Sequence, residues 1–416
     1  MSSGPDVLIV GAGLAGLACA RALREKGVSF QILEASDSIG GRVRTDQQDG
    51  FLLDRGFQVL LTAYPEARRV LDYSRLDLKP FAHGALSWYA GHMNSLIDPW
   101  RTPGAWWDSL RSDFGSISDK LRIAVFRNRL RRTSIDYLFK GPDRSTKDAL
   151  QAAGFSKQMI HRFFRPFLGG ILLDGKLQSS SRMFEFVFKM LSEGDTSLPS
   201  RGMGSIPAQL AEKLPAGSIR LNAHVDSLHE SELTLAGGET LRARAIVVAA
   251  EGPAAAHLVG DVEPASRSVT CFYYSAAEPP VDQPILVLNG DGAGPVNNFS
   301  VISQVAPSYA PPGKHLISVT VLGTQALTDV QLSGFIIAQM KNWFGKVAST
   351  WQLLRSYKIT HAQPQQLPGS LEPPQRPVRT RPGVYVCGDH RDNSSINGAL
   401  VSGRRAAEAV LSDLSR

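Results

Sequence analysis

Cysteine is nearly missing from this 416-residue chain. Cys19, Cys271 and Cys387 stand far apart and form no Cys-x-x-Cys pair. That excludes a disulfide framework and a zinc ribbon, and it makes a reducing, cytoplasmic compartment the expected one. The histidines are scattered without metal-ligand spacing, so no metal site is expected. No run of 18 or more apolar residues occurs, which leaves no helix to span a membrane. The opening Met-Ser-Ser-Gly-Pro lacks a basic stretch, and glycines break the apolar run after it; a signal peptide is not expected. Neither sign of charge dominates, with 45 basic against 38 acidic residues and a net charge of +7. That balance tolerates anionic surfaces, but no nucleic-acid-binding motif accompanies it, so no nucleic-acid partner is expected.

What is present is an ordinary globular composition, 43% hydrophobic and 20% charged, which excludes disorder, a coiled coil and a collagen-like fibre. At roughly 150 residues per domain the length suits two or three domains. The first fifty residues carry the strongest pattern. Asp6–Val10 reads as a buried strand, and it ends at Gly11-Ala-Gly13-Leu14-Ala15-Gly16. Leu17–Lys26 has helical spacing and stops at Gly27; Ser29–Leu33 is a second strand, ending in Glu34. This is a βαβ unit with G-x-G-x-x-G at its first turn. Gly11 allows the tight turn, Gly13 lets backbone approach a pyrophosphate, and Gly16 lets the helix pack on the strand. The helix N-terminus presents free N–H groups to the phosphates. Glu34 lies about 20 residues on, where a carboxylate accepts the ribose hydroxyls and argues against a 2′-phosphate.

The next segment, Glu34-Ala35-Ser-Asp-Ser-Ile-Gly40-Gly41-Arg42-Val-Arg44-Thr45, resembles the superfamily of FAD-dependent amine oxidases, phytoene desaturases and protoporphyrinogen oxidases, nearer its desaturase-like side. The resemblance implies FAD as cofactor, with Gly11, Gly13, Leu14, Ala15, Gly16, Glu34, Ala35, Gly41 and Arg42 against it. Arg42 would offer the pyrophosphate a charge-assisted bond. Asp54-Arg-Gly56-Phe57-Gln58 continues the likeness and makes Gly56, Phe57 and Gln58 flavin neighbours. At the far end, Val384–Cys387 reads as a strand, followed by Gly388-Asp389 and by Ile396-Asn397-Gly398-Ala399 opening a helix to about Leu414. In the superfamily these positions flank the flavin, and the helix end would favour negative charge on the reduced ring. In the middle, Pro199–Pro207 leads into a helix, Ala208–Leu214, with Arg201 a candidate neighbour of flavin or substrate. Ile219–Leu221 and Ala223–Val225 read as short strands, with Val225 implied at the adenine. Ala245–Ala250 is a fully apolar strand, with Ala250 at the cofactor.

The fold class that follows is α/β: a Rossmann-like, glutathione-reductase-type FAD domain assembled from about 1–62, 199–260 and 355–416. An α+β substrate domain with a mixed sheet and a helical cap is expected from 63–198 and 261–354. Ser268–Tyr274, Pro284–Leu288 and His315–Leu322 read as its strands, with a helix over Asp329–Phe344. Residues 100–140 combine Trp100, Trp106 and Trp107 with nine basic residues against four acids. Two readings stand: a peripheral membrane contact, or a cap that buries the rings and solvates the arginines.

The resemblance implies a hydrophobic small-molecule substrate. Monoamine and polyamine oxidases usually carry a lysine on the strand corresponding to Ser268–Ser275 and often a tyrosine just before the Gly-Ala pair. This chain has neither, Ile396-Asn397 standing at the second place. The expected activity is therefore dehydrogenation or desaturation of an isoprenoid, carotenoid-like or tetrapyrrole substrate by hydride transfer to flavin N5. The alternatives are amine oxidation, a redox-neutral carotenoid-type isomerase, and a non-catalytic prenyl- or lipid-binding protein on the same fold. Little acid–base machinery is needed, since the flavin itself does the chemistry; Tyr273, His390 and Asp392 are the candidate proton acceptors.

Overall fold

The computed structural model describes residues 4–98, 101 and 115–415. Trp100, Trp106, Trp107 and Arg111 of the basic segment lie outside them. Two sheets organise the rest. The first has six strands in the order Ile219–Arg220, Phe30–Leu33, Val7–Val10, Ala245–Val248, Val384–Val386 and Arg379–Arg381. The first five run parallel and the last is antiparallel. Its central strands, Val7–Val10 and Ala245–Val248, are buried along their whole length, as continuous Val/Ile/Leu runs covered on both faces must be. The helix Leu14–Glu25 packs against the helix Ile396–Leu414. A Cβ on Gly403 would fall 2.1 Å from the Ala15 carbonyl, so only glycine lets the two backbones approach this closely.

The second sheet has seven strands: Gln352–Pro364, Ser266–Ala276, His315–Leu322, Asn298–Val301, Leu286–Asn289, Gly84–Tyr89 and His92–Ile97. All neighbours are antiparallel except the parallel pair Leu286–Asn289 and Gly84–Tyr89. The helix Asp329–Phe344 runs between the expected limits, fixed by a capping box from Thr328 and Gln331. Residues 355–364, grouped by sequence with the far-end segment, instead form most of the sheet's edge strand. Polar and apolar residues are mixed along 352–364 without strict alternation, because an edge strand buries only part of each face; that is why its sequence does not announce it.

Several other limits move, and three are instructive. The first helix begins at Leu14, because Gly13 already serves as its N-cap. The helix expected at Ala208–Leu214 spans Ser205–Ala211, since Pro207 sits in the first turn, where its missing N–H costs nothing. The strand expected at Ala223–Val225 instead starts at Val225 and runs to His229, continuing into a three-stranded meander.

Helices between Ile117 and Glu193 form a cap over the end of the seven-stranded sheet. Their core is built from phenylalanine and leucine in equal number. Phe126 stacks on Phe184 at 5.2 Å and Phe155 meets Phe164 edge-on at 4.9 Å, and the cluster closes on Ala85 and Leu288 of the sheet. One π turn, Ile160–Phe164, interrupts the cap just before Pro166. Pro166 has no N–H to return to the Arg162 carbonyl, and the Ser87 hydroxyl donates to that carbonyl instead at 3.2 Å.

Candidate active site

A single cavity of about 1010 Å³ runs between the two sheets and under the cap. It reaches the upper end of ordinary small-molecule sites, ~300–1,000 Å³, so it has room for a large group and a second molecule beside it. One half is built from backbone. Gly11 holds φ +105°, and a Cβ there would lie 2.9 Å from the Ala249 carbonyl; a Cβ on Gly16 would lie 2.0 Å from the Gly11 carbonyl. At Gly13 a Cβ would meet nothing within 4 Å, because that face opens on the cavity. The first-turn amides of Leu14 and Ala15 border the same space, with the positive end of the helix behind them.

Glu34 closes this half. Its carboxylate accepts from the Ala12 amide at 2.7 Å and from the Ser36 amide and hydroxyl at 2.9 and 2.7 Å. These bonds orient both oxygens, whose remaining lone pairs can accept hydroxyls from a ligand. The Gly40-Gly41 turn lies across the glycine loop: the Gly40 amide donates to the Ala12 carbonyl at 2.9 Å. Arg42 donates to Asp389 at 2.7 Å and to the Ala362 carbonyl at 2.8 Å, so these two residues, read separately from sequence as cofactor contacts, hold each other. Gln58 donates to the Arg42 and Arg55 carbonyls at 2.7 and 3.0 Å, which braces the turn. Arg44 pairs with Asp37 on the outer side. An open glycine face, a helix N-terminus and an oriented carboxylate together fit a dinucleotide.

Of the residues assigned from sequence, Gly11, Gly13, Leu14, Ala15, Glu34, Ala35, Gly41, Arg42, Gly56, Phe57, Gln58, Val225, Ala250, Gly388, Asp389, Ile396 and Ala399 line this cavity. Gly16, Asn397 and Gly398 do not. Gly16 is buried in the first helical turn. The Asn397 side chain accepts from the Glu66 amide at 3.0 Å. A Cβ on Gly398 would fall 2.0 Å from the Asn393 carbonyl, so this glycine lets the helix start turn rather than letting a ring approach.

The three candidate proton acceptors also stay off the cavity wall. Tyr273 is a buried residue of the seven-stranded sheet, on the strand Ser266–Ala276, edge-on to Tyr357. Burial pushes His390 down to about 4, so its imidazole is neutral near pH 7. Asp392 is raised to about 6 by burial, and its carboxylate accepts from the Asn393 amide.

The other half of the cavity was not legible. Phe163 stacks on Phe167 at 5.1 Å, and with Phe188, Ile171, Leu191 and Tyr64 they form an apolar wall. All but Tyr64 belong to the cap, where an aromatic at helical spacing looks the same whether it faces a core or a cavity. The strand Ser266–Ala276 contributes only Val269 to the wall. Arg101, Lys120 and Arg127 supply positive charge to it. Arg101 donates to the Gly194 carbonyl and to Asp195 at 2.9 and 3.1 Å.

Asp54 was quoted from sequence only as part of a motif, yet it joins three segments. Its carboxylate accepts from Thr45 at 2.5 Å, from the Met203 amide at 3.0 Å and from Tyr309 at 2.9 Å. Burial raises it to about 6 despite those bonds. In the unfolded chain an aspartate titrates near ~3.9. Ionising Asp54 in the fold therefore costs stability, on the order of 3 kcal/mol when complete. That cost is fully present above about pH 6, shrinks as pH falls through that value and vanishes below about pH 4. Asp54→Asn, whose amide can donate to the Tyr309 oxygen, should lack it. Urea unfolding of both proteins from pH 4 to pH 8 should show the wild type gaining on the variant as pH falls; parallel curves would exclude this role for Asp54.

Residues 14–411 match the family model described as flavin containing amine oxidoreductase. The chain is 27% identical to the hydroxysqualene dehydroxylase of Rhodopseudomonas palustris, covering 97% of this chain and 98% of that one. It is 22% identical to the coproporphyrinogen III oxidase of Propionibacterium freudenreichii, over 98% and 92%. The protoporphyrinogen oxidase 2 of Arabidopsis thaliana is matched more locally, 39% identical over 70 residues that make up 17% of this chain and 14% of that protein. The cyclohexylamine oxidase of Brevibacterium oxydans shares the fold, with a TM-score of 0.72 over the whole of both chains at 17% identity.

Proposed function

The chain belongs to the flavin-containing amine oxidoreductase family and is an FAD-dependent oxidoreductase, and on that premise we propose that it dehydrogenates or desaturates a hydrophobic substrate of isoprenoid or tetrapyrrole type. The observation that carries this reading is the apolar wall of Phe163, Phe167, Phe188, Ile171 and Leu191 opposite the glycine loop. Bound FAD supplies a two-electron acceptor for hydride from a carbon next to a double bond or heteroatom. The residues of the chain do the holding. The Leu14 and Ala15 amides receive the pyrophosphate, Glu34 accepts ribose hydroxyls, and Arg42, steadied by Asp389, adds positive charge. The phenylalanines hold the substrate by its apolar surface and keep water away from it.

In the same reading the FAD domain comprises 1–62, 199–260 and the far end from about 365, the start of that last piece moved to follow the edge strand. The Gln352–Pro364 strand then belongs with 63–198 and 261–354 on the substrate side. Relatives named for hydroxysqualene and for coproporphyrinogen agree with an extended or macrocyclic apolar substrate.

The test is anaerobic. The purified protein should show a flavin spectrum, and that spectrum should bleach on adding a carotenoid precursor or a porphyrinogen but not a monoamine or polyamine. Bleaching by amines alone would overturn the substrate class. A colourless protein that takes up no added FAD would overturn the redox reading itself.

A further inference from the structure

A second cavity, of about 450 Å³, shares a wall with the first. Asn297 and Pro166 face it, while Asn298 and Gly170 line the larger cavity. The Asn297 amide closes the partition, donating to the Pro166 carbonyl at 2.9 Å and to the Asn298 side-chain oxygen at 2.8 Å. One end of the second cavity is built around Arg165. Its Nε donates to the Gly175 carbonyl at 3.2 Å and its Nη1 to His161 Nε2 at 2.8 Å. A guanidinium only donates, so this imidazole nitrogen accepts. Both partners are neutral; they fix the plane of the guanidinium without neutralising it. Among the described residues, those lining the cavity include no aspartate or glutamate. The loop 289–296 stands against the guanidinium: a Cβ on Gly292, at φ +68°, would lie 3.2 Å from Nη1. Asn289 holds that loop in shape, donating to the Ala293 and Val296 carbonyls at 2.8 and 2.6 Å and accepting from the Gly292 amide at 3.0 Å. The other end is apolar, with Val321, Leu327, Leu332 and Phe335. Phe335 is 57% exposed, a ring left at the rim. An oriented cation, a braced loop and an apolar wall, in a volume within the ordinary range of ~300–1,000 Å³, have the make-up of a ligand site.

We propose that this cavity is a second ligand site, separate from the flavin and substrate cavity, for a small molecule that joins a phosphate or carboxylate to an aromatic ring. The anionic group meets the Nη1–Nη2 edge of Arg165, the edge that Gly175 leaves open. The ring lies on Phe335. Such a ligand bridges the cap to the seven-stranded sheet. It also bears on the helix Arg165–Leu172, whose Phe167 and Ile171 stand on the wall of the first cavity. The π turn Ile160–Phe164 has the same double aspect, with His161 facing the second cavity and Phe163 the first; π turns are frequent at functional sites. The site holds whichever substrate the first cavity takes.

The flavin-loaded protein would be titrated calorimetrically with phenyl phosphate and with benzoate, and with inorganic phosphate and acetate as partners that lack the ring. Saturable binding of at least one aromatic anion, one molecule per chain, is expected, and its ringless partner should bind about fivefold more weakly. Arg165→Gln should lower the affinity about tenfold or more, and Phe335→Ala about fivefold. Neither residue lines the first cavity, so flavin content should stay as in the wild type. The exposed Phe335 can be cut back without cost to the fold, so that variant decides the matter even where Arg165→Gln weakens the cap. No saturable binding of either aromatic anion overturns the proposal. Binding that both substitutions leave unchanged would put the probe in the first cavity and overturn it too.

Discussion

Gly13→Val should yield a folded, colourless protein. Gly13 has φ −72° and ψ 178°, extended backbone that any residue adopts, and a Cβ there meets no protein atom within 4 Å. The fold has room for the side chain. Gly13 makes no side-chain cap, but valine is a poorer N-cap residue than glycine, so stability without cofactor should fall, by no more than about 1 kcal/mol. The same isopropyl group projects into the space where a pyrophosphate must meet backbone amides. Affinity for FAD should fall at least ~100-fold, about 2.7 kcal/mol, and activity with it. Gly16→Val is the contrast: its Cβ would fall 2.0 Å from the Gly11 carbonyl, so the turn itself must shift and the protein should be insoluble or unfold early. Absorbance after purification, FAD titration and thermal unfolding of the cofactor-free form separate the cases. A Gly13→Val protein that keeps flavin at wild-type stoichiometry would remove the glycine loop from the site.

Arg42→Ala should damage both stability and cofactor retention. Asp389, with its side chain 8% exposed, would lose its cation, and the Ala362 carbonyl would lose a donor. Stripping one partner from a fully buried pair costs ~3–5 kcal/mol; Arg42 is 32% exposed, and solvent screening reduces the expectation to about 2 kcal/mol. Arg42→Lys keeps the charge but cannot reach both partners with a planar fork and should recover only part of the loss. The double variant Arg42→Ala with Asp389→Ala should be more stable than Arg42→Ala alone, since no carboxylate is then left stranded. Unfolding midpoints of these four proteins and of Asp389→Ala decide it: strict additivity of Arg42→Ala and Asp389→Ala would mean the pair does not act as one.

How much of this was legible follows from the kind of signal each part carries. The glycine loop, Glu34 and the Gly40-Gly41-Arg42 turn announce themselves because glycines, a carboxylate and an arginine must stand at fixed spacing, and at Gly11, Gly16 and Gly40 a Cβ would collide with backbone. The buried strands Val7–Val10 and Ala245–Val248 are legible for a related reason, since a strand covered on both faces has no polar position to blur it. Pairing between distant segments is not written in local pattern. Nothing near Arg42 in sequence shows that Asp389 is its partner, and nothing near Asp54 shows Tyr309. The cap residues Phe163, Phe167 and Phe188 were seen as apolar, but periodicity does not say whether an apolar face meets a core or a cavity. The edge strand Gln352–Pro364 failed for want of a clean period, and Gly398 was read as a cofactor contact because a close approach to backbone and a close approach to a ring demand the same residue.

The order of strands in the six-stranded sheet has a consequence for how the molecule is made. Val7–Val10 lies between Phe30–Leu33, a near neighbour in the chain, and Ala245–Val248, which in turn needs Val384–Val386 on its other side. During synthesis at ~5–20 residues per second the βαβ unit waits tens of seconds with both edges of its sheet open, one for Ile219–Arg220 and one for Ala245–Val248. Its helix Leu14–Glu25 waits longer for the helix Ile396–Leu414 that covers it. Pairings this remote in sequence are slow to close, and an apolar parallel edge is prone to pair with another chain meanwhile. The cofactor cannot relieve that exposure early, because Asp389 arrives among the last residues of the site. The nascent protein therefore has a long interval in which the edges of its first sheet have no partner from their own chain.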